Sequence, residues 1–128
     1  MLRPAYLFAC VALLSLLYPY VLNVILQYSV VNNFKPGMEL AVYYGAKIDF
    51  EFYFPAALFT AVIGDNTAAV EVLLDLGANP NLVAFTSSRM MTVLDAAITM
   101  ENIHTVELLL ERGANPDKIL RNFSPLVG

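Results

Sequence analysis

One short phrase returns three times in this chain: Gly45-Ala46-Lys47-Ile48-Asp49, Gly77-Ala78-Asn79-Pro80-Asn81 and Gly113-Ala114-Asn115-Pro116-Asp117. The intervals are 32 and 36 residues, and the last two copies follow a leucine-rich segment with helical spacing. Self-similarity at such a period marks stacked repeats, in which each unit buries its apolar face only against its neighbours. A chain of this kind is expected to recognise a partner with its loops and groove and not to carry out chemistry.

The composition is 59% hydrophobic with a mean hydropathy of +0.64, too apolar for an ordinary soluble domain of 128 residues. The excess lies at the front. No charged side chain occurs from Pro4 to Val31, whereas the first acidic residue is Glu39. A helix over that stretch is roughly 40 Å long at about 1.5 Å per residue, more than the roughly 30 Å of a bilayer's hydrocarbon core. Residues 1–34 are therefore expected to form an N-terminal transmembrane helix. The rival is a cleaved secretory signal, with Arg3 as its positive start and Ala5 to Leu17 as its apolar middle. No small-residue cleavage pair follows, and the apolar run continues well past the length of a signal core, so an uncleaved signal anchor is preferred. Leu7-Phe8-Ala9-Cys10 is faintly similar to a lipoprotein processing box, but Phe8 is bulky and Cys10 precedes most of the apolar run. The flanking charges, Arg3 and the amino terminus against Lys35 and Lys47, nearly balance. A very short basic start favours a cytoplasmic amino end, which places the remaining residues on the extracytoplasmic, periplasmic side of a single-pass protein.

Ser15, Pro19, Asn23 and Gln27 recur every four residues along this helix and share one slowly drifting face. In one reading Pro19 makes a tolerated kink, and Asn23 and Gln27 already lie in the headgroup zone. The last turns, through Val24, Ile25, Tyr28 and Val31, then lie over the first repeat as an apolar lid. In the other, Ser15, Asn23 and Gln27 form a polar seam that pairs with a second transmembrane helix. The first reading is preferred.

After Pro36-Gly37 charged residues return and two blocks show paired helices, Leu58–Gly77 and Leu94–Gly113. In each, a short apolar helix ends in polar residues, and a second buries Val70, Leu73 and Leu74, or Val106, Leu109 and Leu110, on one side. This pattern resembles ankyrin repeats. Leu58 and Leu94 fall on the leucine of that family's T-P-L-H motif, both blocks end close to its G-A-D-x-N, and a third opening stands at Ser124-Pro125-Leu126. The resemblance implies an all-α solenoid of helical hairpins over residues 35–128. Its expected parts are a degenerate leading repeat and loop at 35–53, repeats at 54–81 and 82–117, and a partial or capping repeat at 118–128. It departs from the family where the motif's His is replaced by Phe59 and Asp95, which implies a less firmly tied stack. Gly45, Gly77 and Gly113 are read as structural helix terminators with positive φ, and Pro80 and Pro116 then stop the helix from continuing.

The segment from Leu82 to Met91 is longer than the family's usual connection, and inserted residues in solenoids map to exposed loops on the binding side. Phe85, Arg89 and Met90 are of types favoured at interface centres and are the first candidates for protein binding. Alternatively Leu82 and Met91 tuck into the core and the rest is a loop. From Ile48 to Phe54, acidic and aromatic residues alternate in a strand-like rhythm, which adds Phe50, Glu51 and Tyr53 as candidates, with Phe50, Phe52 and Phe54 sharing one side. The one histidine, His104, has no second ligand near it in sequence, and no phosphate loop, nucleophile motif or zinc spacing occurs. No enzyme activity, cofactor or metal is expected. A net charge of −4 and a pI near 4.7 argue against nucleic acid. The expected function is a membrane-tethered module that docks a protein partner, in its most specific form a bacterial immunity or inhibitor protein. The alternative is a structural subunit of a membrane complex that assembles through its transmembrane helix.

Overall fold

The computed structural model describes residues 4–51, 55–85 and 90–117. Its elements in chain order are α1 (Pro4–Val31), α2 (Lys35–Tyr43), α3 (Ala57–Ile63), α4 (Thr67–Asp75), β1 (Val83–Phe85), β2 (Met90–Thr92), α5 (Val93–Thr99) and α6 (Ile103–Glu111). The helices pack as three successive hairpins, α1 with α2, α3 with α4 and α5 with α6, and the hairpins stack through α1 on α3 and α3 on α5. α1 is continuous through Pro19.

All six helices among the described residues stop in the same way. In the Schellman arrangement, the residue after the cap turns left-handed while it and its successor donate backbone hydrogen bonds back into the last turn. At α4 these are Gly77 N–H to the Leu74 carbonyl and Ala78 N–H to the Leu73 carbonyl, at 3.1 and 2.9 Å. The left-handed residues are Asn33, Asp65 and Glu101 after the first helix of each hairpin, and Gly45, Gly77 and Gly113 after the second. Each pair lies twelve residues apart, so all three hairpins are in one register.

That register redraws the leading unit. Residues 35–53 were expected to hold a degenerate repeat beside a separate membrane helix, but its first helix is the final stretch of α1 itself. Leu26, Leu58 and Leu94 occupy equivalent buried positions, as do Ser29, Ala61 and Ala97. An unbroken apolar run offers no sign of where an exposed segment becomes a packed one, which is why the boundary is invisible in sequence. The lid is present but turned. Leu22, Leu26 and Val30, spaced by four, are buried against the repeats, whereas Tyr28 and Val31 are each 69% exposed and Val24 and Ile25 also face outward. Register with α2 sets this face: Gly45 lies beside Leu22, and Gly37 lies so close to Ser29 that a β-carbon there would stand 2.2 Å from its Oγ. Burial of Leu22, Leu26 and Val30 contributes about 1.5–3 kcal/mol each by transfer.

Val70, Leu73 and Leu74 of α4 are buried, as is Leu109 of α6, but Leu110 is 43% exposed and Val106 is only partly covered. α4 has a neighbouring helix on each side, α2 and α6, whereas among the described residues α6 has a neighbouring hairpin on one side only. Ile98, equivalent to the buried Val62, is exposed for the same reason.

The long connection before α5 is not an open loop throughout. β1 and β2 pair antiparallel, with Val83 opposite Thr92 and Phe85 opposite Met90. The strand-like rhythm from Ile48 also resolves differently at its start, because Ile48 and Asp49 form a turn closed by Phe50 N–H on the Lys47 carbonyl at 3.0 Å. Phe52, Tyr53 and Phe54 lie outside the described residues.

Candidate functional site

The loops that follow the second helices are tied together by side-chain rungs. Asn23 Oδ1 accepts from Lys47 N–H at 3.1 Å, Asp49 Oδ1 from Asn79 N–H at 3.0 Å, and Asn81 Oδ1 from Asn115 N–H at 2.7 Å. Lys47, Asn79 and Asn115 are equivalent positions, so one bond type recurs at each step of the stack, and in the first step α1 supplies the oxygen. Asn81 Nδ2 also donates to the Gly113 carbonyl at 3.2 Å. Asn79 and Asn115 in turn accept from the amides two residues on, Asn81 and Asp117, which holds each loop in shape.

A second set of ties runs along the opposite edge, at the bends within the hairpins. Asn66 and Asn102 cap α4 and α6 by accepting from Ala69 and Thr105 N–H. Their amide groups reach back one hairpin. Asn66 Nδ2 donates to the Val30 carbonyl at 3.1 Å, and Asn102 Nδ2 to Asp65 Oδ1 and to Thr67 Oγ1. Thr67 and Thr105 share a hydroxyl hydrogen bond of 3.0 Å. The Asp75–Arg112 ion pair at 2.6 Å is substantially exposed and contributes little by comparison.

Asn23 and Gln27 are therefore both engaged inside the chain, since Gln27 Nε2 donates to the Pro55 carbonyl at 2.7 Å. Of the three seam candidates, Ser15 alone lies on the exposed part of α1, in a shallow depression with Val11, Leu14 and Tyr18. Between α1 and α3 an open groove of about 780 Å³ is lined by Val24, Tyr28, Val31 and Ile63, with Gln27 and Thr60 among its polar groups. At the other candidate surface, Met90 is 42% exposed on β2, and Leu82 and Met91 are partly buried against the core. The backbone of Phe85 is placed in β1 opposite Met90, and Arg89 lies outside the described residues. Phe50 is partly exposed beside Pro19, Tyr20 and Lys47, Glu51 is exposed, and Tyr53 is not described. The candidates thus fall on two separate places, the β-hairpin and the turn after α2. Neither supplies reacting groups: His104 is exposed on α6, and among the described residues no cluster of three His, Cys, Asp or Glu is arranged to hold a metal.

A family model described as ankyrin repeats in three copies matches residues 26–119. The chain belongs to the ankyrin repeat family. The crystal structure of the human ASB11 ankyrin repeat domain is similar to it with a TM-score of 0.58 at 23% identity, over 70% of this chain and 40% of that one. The chain thus spans well under two thirds of that solved domain. No curated protein matches the sequence.

The ankyrin match begins at Leu26, within α1, where the first hairpin's leucine lies. Gln27 then falls on the position where the T-P-L-H motif has His, and it donates to the next repeat. A tie from that position, expected to be lost at Phe59 and Asp95, is made in the first ankyrin repeat by Gln27, where none was anticipated. At the same position in the third repeat, Asp95 is 6% exposed and its Oδ2 has no hydrogen-bond partner among the described residues, while Thr92 Oγ1 caps α5 by accepting from Asp95 N–H. Sequence reasoning missed Gln27, Asn66 and Asn102 as cross-repeat residues. The 36-residue interval between the two asparagines was the available signal, but their second bond needs the neighbouring repeat to be in place. Ankyrin repeats are a non-catalytic scaffold for protein–protein interaction.

Proposed function

We propose that this chain is a membrane-held ankyrin module that docks a protein partner through the α1–α3 groove and the β1–β2 hairpin. One observation carries the membrane part. Every residue from Pro4 to Val21 is exposed, although that stretch is almost wholly apolar. A core helix of a soluble protein would be covered, and an uncovered apolar shaft of eighteen residues, about 27 Å long, is far larger than the patches soluble monomers tolerate. It is within the length that crosses a bilayer. Residues 22–31 of the same helix belong to the first repeat, so removal of the shaft as a signal would cut directly against that repeat; this supports an uncleaved anchor.

Tethering raises the local concentration of the module for targets at the same surface, so a modest intrinsic affinity suffices. In its most specific form the proposal makes the chain an immunity or inhibitor protein, with the repeats on the extracytoplasmic side, that neutralises an arriving toxin. Photoreactive groups at Phe85 and Met90, and separately at Tyr28 and Ile63, are expected to crosslink one and the same partner in intact cells. Deletion that leaves toxin resistance unchanged would remove the immunity form. The assembling-subunit alternative is weakened by the internal engagement of Asn23 and Gln27. Exchange of residues 4–17 for an unrelated transmembrane sequence separates the two: docking predicts retained partner capture, assembly predicts its loss.

A further inference from the structure

α1 and α2 run antiparallel, with Ser29 beside Gly37, Leu22 beside Gly45, and Tyr18 donating its hydroxyl to the Tyr44 carbonyl at 2.9 Å. The repeat therefore reaches back along α1 as far as Tyr18. Of the described part of α1, residues 4–17 stand clear of it, and fourteen residues make about 21 Å of helix, short of the roughly 30 Å hydrocarbon core. For α1 to cross, the bilayer must come up to the repeat with no spacer between them.

The residues at that level suit a headgroup layer. Tyr18 and Tyr20 on α1, Tyr43 and Tyr44 at the end of α2, and Phe50 in the following turn are all exposed, Tyr43 by 81%, and Lys47 stands among them. Tyrosine concentrates at membrane–water interfaces, and a lysine there extends its ammonium to the headgroups while its stem lies along apolar surface. The opposite edge of the stack, at the hairpin bends, carries Asn33, Asp65, Asn66, Glu101 and Asn102 together with the exposed Phe34, Ile63, Met100 and Ile103, and holds no comparable cluster of tyrosines with a lysine among the described residues. The tyrosine and lysine cluster lies at the end of the stack from which the exposed part of α1 emerges.

We infer that the Tyr43–Phe50 edge of the first repeat is a membrane-docking surface, seated in the lipid headgroups of the bilayer that α1 crosses. This rests on the reading of α1 as an anchor. Its consequence is that the solenoid stands on the membrane in one orientation, with the α1–α3 groove opening just above the lipid surface, where a membrane-bound partner would meet it.

The test uses the full chain in phosphatidylcholine vesicles carrying nitroxide either on the headgroup or deep in the acyl chain. A fluorophore is placed on native Cys10, or, in a Cys10→Ser background, on Lys47→Cys or Ile103→Cys. The expected result is acyl-chain quenching at position 10, headgroup quenching at position 47 severalfold above that at 103, and a decrease at 47 when Tyr43 and Tyr44 are both changed to Ser. Quenching at 10 with position 47 as insensitive as 103 overturns the docking surface and leaves the anchor standing. Absence of acyl-chain quenching at 10 overturns both.

Discussion

Gly77 and Gly113 adopt φ of +101° and +97°, and Gly45 +110°, whereas the non-glycine terminators Asn33, Asp65 and Glu101 sit at +52° to +59°. The second group lies in the small left-handed basin that L-residues can enter, Asn and Asp most readily; the first lies beyond it. No neighbour within 4 Å would meet a β-carbon at Gly77 or Gly113, so the demand there is conformational and not one of space. Gly77→Val is expected to cost about 1–3 kcal/mol, read as a lower thermal midpoint, while Asn33→Gly leaves the midpoint nearly unchanged. At Gly37 the demand is the reverse, because space is set by Ser29. The equivalent pairs in the later repeats are Ala61 with Ala69 and Ala97 with Thr105, where a smaller partner admits a larger one. Gly37→Ala alone should destabilise by about 1–3 kcal/mol through overpacking, and Ser29→Ala should recover most of it in the double variant. Additive losses in chemical denaturation would refute that coupling.

Helices here are short, seven or nine residues apart from α1, and no isolated helix of that length is stable in water. Their persistence depends on caps and on neighbours, and Asn66 and Asn102 serve both. Asn102→Ala is expected to cost about 1–2 kcal/mol, at the upper end for a cap because a cross-repeat donor is lost as well. Amide exchange should accelerate first at Thr105, whose N–H loses its acceptor. α1 divides into two parts that respond differently to the same chemical change. Leu26→Ala, at a buried position, should cost about 2–5 kcal/mol and unfold the first repeat, whereas Leu14→Ala, on the exposed shaft, should leave repeat stability unaltered in detergent. Equal effects at the two positions would mean that α1 has no such division.

Across the molecule, stability is a sum of repeat and interface contributions, so the hairpin with neighbours on both sides should be the most protected. That hairpin is α3–α4, packed on α1 and α2 before it and on α5 and α6 after it. Native-state hydrogen exchange is expected to show slowest opening in α3 and α4 and faster opening in α5 and α6, where Ile98 and Leu110 are exposed. With the exposed apolar shaft acting as the proposed anchor, the chain is expected to need detergent or lipid for a dispersed state. Carbonate washing of membranes should leave the full chain in the pellet, and a chain lacking residues 4–17 should be released; release of the full chain would refute the anchor.

Much of this architecture was legible in the order of residues, because each feature has a local cause. The glycine phrases mark helix ends, since few residues other than glycine are at ease at such φ, and the spacing of Val70, Leu73 and Leu74 marks a buried stripe, since a helix turns about 100° per residue. The stretch free of charge from Pro4 to Val31 likewise announces an apolar rod. What tertiary structure alone decided is how that rod is divided and turned. Leucines on an exposed shaft and leucines in a repeat core look alike in sequence, so only packing against α2 and α3 shows that Leu22, Leu26 and Val30 belong to the first repeat, that Asn23 holds its loop and that Gln27 reaches the next repeat. The candidate sites were less legible still, because a surface is defined by which neighbours leave a side chain uncovered, and those neighbours lie about thirty residues away along the chain.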